Sequence, residues 1–100
     1  MGAIITAKVS FDPKKNLRNI AERGLPFELV DSFEWDAALI DQDTRKDYGE
    51  QRFIAIGLIV EVLYVTVFTP RDDQPQVISL RRANLRERRN YAAQTQPSKD

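Results

Sequence analysis

One hundred residues with 42% apolar and 30% charged side chains make one ordinary globular domain, because a chain of this length buries a single modest core. Cysteine and histidine are both absent, which excludes disulfides, thiolate nucleophiles, thiolate zinc sites and the usual neutral-pH general base. The formal net charge of zero argues against a generic nucleic-acid binder, and no apolar run reaches the roughly 18 to 20 residues of a membrane span.

Ile4 to Phe11 alternates weakly and leads, as a strand, into Asp12-Pro13. Asp12 suits a helix cap and Pro13 a first helical position, which predicts a helix from Pro13 to Arg23, ended by a left-handed Gly24. Pro26 restarts a short helix whose Phe27, Val30 and Phe33, spaced by three, are predicted core residues. Trp35 to Ile40 reads as a strand or extended segment and Asp41 to Gly49 as a polar connection. Arg52 to Leu58 and Val62 to Phe68 have the layout of an antiparallel hairpin. Ile59, Val60 and Glu61 between them are poor turn formers and leave the register open. The apolar stretch from Phe53 to Phe68, broken by Gly57 and Glu61, reads as core strands of a cytoplasmic protein rather than a membrane or signal segment. Pro70 to Pro75 reads as a polar turn, Val77 to Arg82 as a last strand and Ala83 to Ala93 as a final helix. The expected fold class is α+β: one domain over residues 1–93, an antiparallel sheet with N-terminal helices and a C-terminal helix packed on it, and a disordered tail at 94–100.

Charge is unevenly placed. From Glu28 to Glu50 eight acids face only Arg45 and Lys46, whereas from Arg81 to Arg89 five arginines face only Glu87. A helix beginning near Arg82 would align Arg82, Arg86 and Arg89 in one stripe and leave Leu85 and Ala92 as its packed side. Guanidinium groups suit phosphate because their planar donors bind its oxygens in pairs at any working pH. A solvated, ion-paired face is the plainer reading of such a run. Arg52 opens the predicted hairpin and Arg71 closes it, so both belong near one edge of the sheet. Glu50 and Glu87 are the carboxylates nearest these arginines and would be held ionised by them. Lys14, Lys15 and Arg18 form a second, weaker basic group. Tyr91 is the better base-stacking candidate, with Tyr64 and Trp35 read as core or strand-edge rings. No glycine-rich phosphate loop is present, and Asp41, Asp43 and Asp47 are out of phase with a calcium loop, so no metal or cofactor is expected.

The sequence resembles the BrnT toxins. It has Asp12-Pro13-Lys14-Lys15, then Asn19, Gly24 and Phe27 of an Asn-x-x-Lys-His-Gly-x-x-Phe pattern. Asp47-Tyr48-Gly49-Glu50-Gln51-Arg52 and Ala55-Ile56-Gly57 follow, then Ile78-Ser79-Leu80-Arg81-Arg82 and Glu87-Arg88-Arg89-Asn90-Tyr91. The family's Lys-His pair is Glu22-Arg23 here, and Val60-Glu61 stand where its hairpin glycines are usual. The resemblance implies a RelE-like toxin fold, endoribonuclease activity, and a cognate ribbon-helix-helix antitoxin through which alone the toxin affects DNA. It carries over Lys15, Arg52, Arg71, Arg81, Arg82, Glu87, Arg88 and Arg89 as functional candidates.

On that reading RNA is cut without metal by its own 2′-hydroxyl. Arg52, Arg81 and Arg82 stabilise charge and Glu87 takes the proton. Lys15, Arg71, Arg86, Arg88, Arg89 and Tyr91 hold the RNA. An inert family member that only binds an antitoxin or RNA is the alternative. A helix-turn-helix regulator built on Pro13 to Arg23 and Pro26 to Glu34 is disfavoured, because Glu28, Asp31 and Glu34 would meet DNA phosphates with like charge.

Overall fold

Asp12 accepts a hydrogen bond from the Lys14 amide and Pro13 takes the first helical position, so the first helix, α1, runs Pro13–Arg23 as its local signals predict. Gly24 ends it with φ of 70°, a conformation that costs a side chain least when there is none. The structure, a computed structural model, describes residues 9–72 and 74–95. Besides α1 these form β1 Ser10–Phe11, 3-10 segments Phe27–Ser32 and Trp35–Ala37, β2 Leu39–Gln42, β3 Phe53–Ile59, β4 Val62–Arg71, β5 Gln74–Arg82 and α2 Leu85–Thr95. One sheet runs in the order β1-β5-β4-β3-β2, antiparallel except for the parallel pair β1 and β5. This is the expected α+β class.

Polar bonds, not an apolar stripe, seat α1. Asn19 is 4% exposed. Its Nδ2 donates to the carbonyls of Leu25 (2.8 Å) and Leu80 (3.0 Å), and its Oδ1 accepts from the Leu80 amide (3.4 Å) and the Arg23 guanidinium (3.1 Å). Asn16 Oδ1 accepts from the Phe27 amide at 2.8 Å. Beyond Val77, where β1 stops pairing, α1 therefore satisfies the open edge of β5 through Asn19.

The predicted core residues Phe27, Val30 and Phe33 are buried beneath the sheet with Ala55, Ile59, Tyr64, Phe68, Val77 and Leu80. Phe33 lies on Gly57, where a Cβ would come within 2.7 Å of the ring, so only glycine fits there. Trp35 does not start a strand: the chain turns, with the Ala38 amide bonded to Trp35 O at 3.2 Å. Its ring then meets Phe33 and Phe68 edge-on, at centroid distances of 4.7 and 5.1 Å. Strand pairing begins only at Leu39 and takes Asp41 and Gln42 from the predicted connection.

The β3–β4 hairpin closes on Val60 and Glu61, both left-handed at φ of 46° and 68°, with Ile59 opposite Val62. Its register runs from Phe53 opposite Phe68 to Ile59 opposite Val62, without hairpin-type turn residues. The predicted polar turn from Pro70 to Pro75 shrinks, because β4 and β5 continue until Arg71 pairs with Gln74. Pro70 and Pro75 then oppose each other next to the hydrogen-bonded closing pair, at a position that requires no N–H.

The opposite sheet face carries a smaller cluster, Leu63, Val65 and Ala83, with Ile54, Ile56, Leu58 and Tyr91 against it. The helix α2 touches it only lightly: none of its residues is buried, Leu85 is 51% exposed and Ala92 is exposed. The expected packed side of this helix is thus its outer side. Because β5 continues to Arg82, that arginine is not helical and the stripe through Arg82, Arg86 and Arg89 does not form. Gln94 and Thr95, expected in the tail, extend α2. The expected strand residues Ile4 to Lys8 and tail residues 96–100 lie outside the described residues. Among the described residues no helix is long and apolar enough to cross a membrane.

Two stability changes follow. Asn19→Ala leaves the Leu25 and Leu80 groups without their partner and lowers unfolding free energy by about 2–3 kcal/mol. Val60→Asn with Glu61→Gly relieves left-handed strain and raises it by about 1–2 kcal/mol. Urea titration measures both, and an unchanged midpoint in either case rejects the corresponding account.

Candidate functional site

Strand alternation sends Val65, Val67, Thr69 and Arg71 of β4 to the face away from α1, together with their partners Ser79 and Arg81 of β5. This face runs between α2 and the connection from Asp43 to Arg52, with Val65 and Thr69 buried and Arg71 exposed, and two arginine–carboxylate groups lie on it.

The first is centred on Glu50. Its Oε1 accepts from Arg71 Nη2 at 3.0 Å and its Oε2 from Arg52 Nε at 3.4 Å, while Arg71 Nε also reaches Gln76 Oε1 at 2.7 Å. Arg71, and after it Arg52, holds the Glu50 carboxyl below its ordinary pKa. The expectation that Arg52 and Arg71 meet at one edge of the sheet is met through this shared carboxylate.

Beneath it lies a brace. The Arg52 guanidinium sits 4.2 Å from the centre of the Tyr48 ring, and Tyr48 Oη donates to Asp43 Oδ2 at 3.0 Å. Arg45 grips the same carboxylate with Nε and Nη2, each at 2.8 Å, and its amide closes a short turn onto Oδ1 at 3.2 Å. The Asp43 side chain is 1% exposed and that of Arg45 is 70% exposed, so the pair carries its cation to the surface. Arg45 holds the Asp43 carboxyl well below the usual range, against the opposing effect of burial. The sequence reads as a polar connection here, from Asp41 to Gly49. The available signal was Asp43 two residues before Arg45, the spacing at which an aspartate side chain folds back on the chain.

The second group is Arg81 and Glu87, joined by two parallel bonds of 2.8 and 2.7 Å. Glu87 also caps α2: it accepts from the Asn84 amide at 2.9 Å while Asn84 Oδ1 accepts from the Glu87 amide at 2.8 Å. Arg81 lowers the pKa of Glu87, and Glu87 raises that of Arg81. The positive charge of Arg45 acts on Arg81 in the opposite sense, so the two groups lie within electrostatic reach of each other.

Other candidates lie elsewhere. Arg82 pairs with Tyr64 on β4, which turns it to the sheet face opposite Arg81, where it is exposed. Lys15 lines a hollow between α1 and β5. Arg86 and Arg89 are exposed on α2, and Arg88 reaches the Ala83 carbonyl at 3.4 Å. Tyr91 is the anchor of α2: its ring packs on Leu63, Val65 and Ala83 and its hydroxyl donates to Ala37 O at 2.8 Å.

Residues 11–87 match the family model described as ribonuclease toxin, BrnT, of type II toxin-antitoxin systems. The crystal structure of the Brucella abortus ribonuclease toxin BrnT is similar at 28% identity and a TM-score of 0.60, over 79% of this chain and 99% of that chain. No curated protein matches the chain. The matched segment includes α1, the Glu50 group, Arg81 and Glu87. The chain therefore belongs to the BrnT family, the ribonuclease toxins of type II toxin-antitoxin systems.

Proposed function

We propose that this protein is an endoribonuclease that cuts RNA at the sheet face of Arg71 and Arg81 without a metal ion and so arrests growth. A cognate ribbon-helix-helix antitoxin covers the toxin and provides its only link to DNA, within the cytoplasm. The observation that carries the reading is that one face of the sheet gathers Arg52 and Arg71, which share the Glu50 carboxylate, and Arg81, whose two-donor fork holds Glu87, a fork being the group that receives a phosphate in pairs. A family of ribonuclease toxins supports the choice of RNA as substrate.

In the proposed reaction the 2′-oxygen bonds to the adjacent phosphorus, the bond to the 5′-oxygen breaks, and a cyclic phosphate remains. Arg52, Arg71 and Arg81 face the crowded, anionic phosphorus. Fixed donors of this kind, held before the substrate arrives, supply the largest share of such catalysis. The proton of the 2′-hydroxyl goes to a carboxylate, and Glu50 is better placed than the sequence candidate Glu87. Both partners of Glu50 are arginines that a phosphate would claim, and as they turn away its depressed pKa rises and it becomes a stronger base. Glu87 keeps the Asn84 amide whatever the RNA does, so it serves as the positioning residue of Arg81. The 5′-oxygen is stabilised by an arginine N–H until solvent protonates it. Arg45 acts through space on Arg81 and Arg86 on Glu87, and with Arg88 and Arg89 on the exposed helix they offer cations to the RNA backbone.

Cleavage of labelled RNA in EDTA tests the assignment. Arg81→Gln is expected to cost about a hundredfold or more, and Arg82→Gln, on the opposite face, less than tenfold. The reverse ranking places the chemistry on the other side of the sheet, and cleavage restored only by added magnesium removes the metal-free mechanism. Growth after induction should follow the same order.

Glu50 and Glu87 separate by a second readout. Glu87→Ala loses both cleavage and about 1 kcal/mol of stability, because it removes a helix cap. Glu50→Gln loses cleavage with a smaller change in the thermal midpoint. Full cleavage by Glu50→Gln removes it as the base.

A further inference from the structure

The hollow between α1 and β5 has a volume of about 250 Å³. Lys15, Arg18, Glu22 and Arg23 line it from the helix, and Ile78 and Ser79 from the strand. Its position follows from the sheet. Pairing of β1 with β5 ends at Val77, the register of β4 and β5 shifts so that Ile78 is the extra residue of a bulge, and α1 reaches the strand edge again only at Leu80, through Asn19. The gap left between those two attachments is the hollow.

Its charge is unspent. Lys15 and Arg18, one helical turn apart, are exposed and have no carboxylate partner among the described residues. Arg23 turns to Asn19, and Glu22 is the single acid of the lining. This contrasts with the sheet face, where Arg52, Arg71 and Arg81 are each held by a carboxylate. The two regions adjoin at Ser79, which lines the hollow and shares the sheet face of Arg81, two residues and about 7 Å along the strand. A chain of anions crossing the strands past Arg81 would reach the strand edge at Ser79 and then the two unpaired cations.

We infer that the hollow is a second phosphate subsite, which holds the backbone of single-stranded RNA beyond the phosphate that is cut. The inference rests on the proposed function and extends it, giving the RNA a path across the sheet that ends on α1. Lys15 acts here as a backbone contact remote from the reacting atoms. Glu22 weakens the subsite, because it places a negative charge beside the strand it holds.

Fluorescence anisotropy with a labelled single-stranded 2′-O-methyl RNA, which lacks the attacking hydroxyl, tests this over a salt series. Two lost phosphate contacts in Lys15→Gln/Arg18→Gln should weaken binding and make the log–log salt slope shallower by about 1.4, at about 0.7 per phosphate on a single strand. Glu22→Lys should tighten binding and steepen the slope by about 0.7. These side chains are exposed, and circular dichroism checks that α1 is retained. If Arg81→Gln weakens binding while both α1 variants leave the slope unchanged, the subsite is rejected and the sheet-face reading stands. If the unsubstituted protein does not bind the RNA at all, both are rejected together.

Discussion

The buried amide of Asn19 is the joint on which the architecture turns. A sheet edge exposes backbone donors and acceptors, and a helix as polar as α1, with Leu17 facing solvent, has little apolar surface with which to dock. Asn19 answers both problems by presenting a donor and an acceptor to the backbone of Leu80, as a neighbouring strand would. Its further bond to Leu25 fixes where the chain leaves the helix, and so delivers Phe27, Val30 and Phe33 to the sheet. With one face filled by these residues, the other is left to carry the arginines.

Local signals made α1 legible in the sequence, from the Asp12 cap through Pro13 to Gly24, and spacing by three made Phe27, Val30 and Phe33 legible as core. The joint meeting of Arg52 and Arg71 was legible too, because both lie at hairpin ends. What escaped was long-range. Val77 to Arg82 reads as a strand, but which side of the sheet each of its arginines takes depends on pairing with β4, and the Asn84–Glu87 capping box starts α2 just beyond it. Reading the helix back to Arg82 merged two arginines that alternation separates. Leu85 and Ala92 have the seven-residue spacing of a packed side, yet Glu87 and Tyr91 dock α2 by its other side. Val60-Glu61 carries no hairpin signature because the flanking strands impose the turn.

The zero net charge takes on a different sense in the folded chain. Acids that look like a separate negative half in the sequence supply Glu50 and Asp43, which neutralise arginines at the site itself. On the proposed function RNA would therefore enter by exchange, a phosphate replacing a carboxylate among donors already placed to hold it. Such exchange gives little long-range attraction and much positional selectivity, since the arginines need little reordering when the ligand arrives.

Glu87 belongs to two structures at once, the cap of α2 and the grip on Arg81. A helix without a buried residue sits at the low end of local stability, where segments open and close many times before the whole protein unfolds. Each opening of α2 withdraws Glu87 and unclasps Arg81. The order of the helix and the aim of Arg81 are thus coupled through one carboxylate, and on the proposed function a molecule that grips α2 would also set how long Arg81 stays aimed.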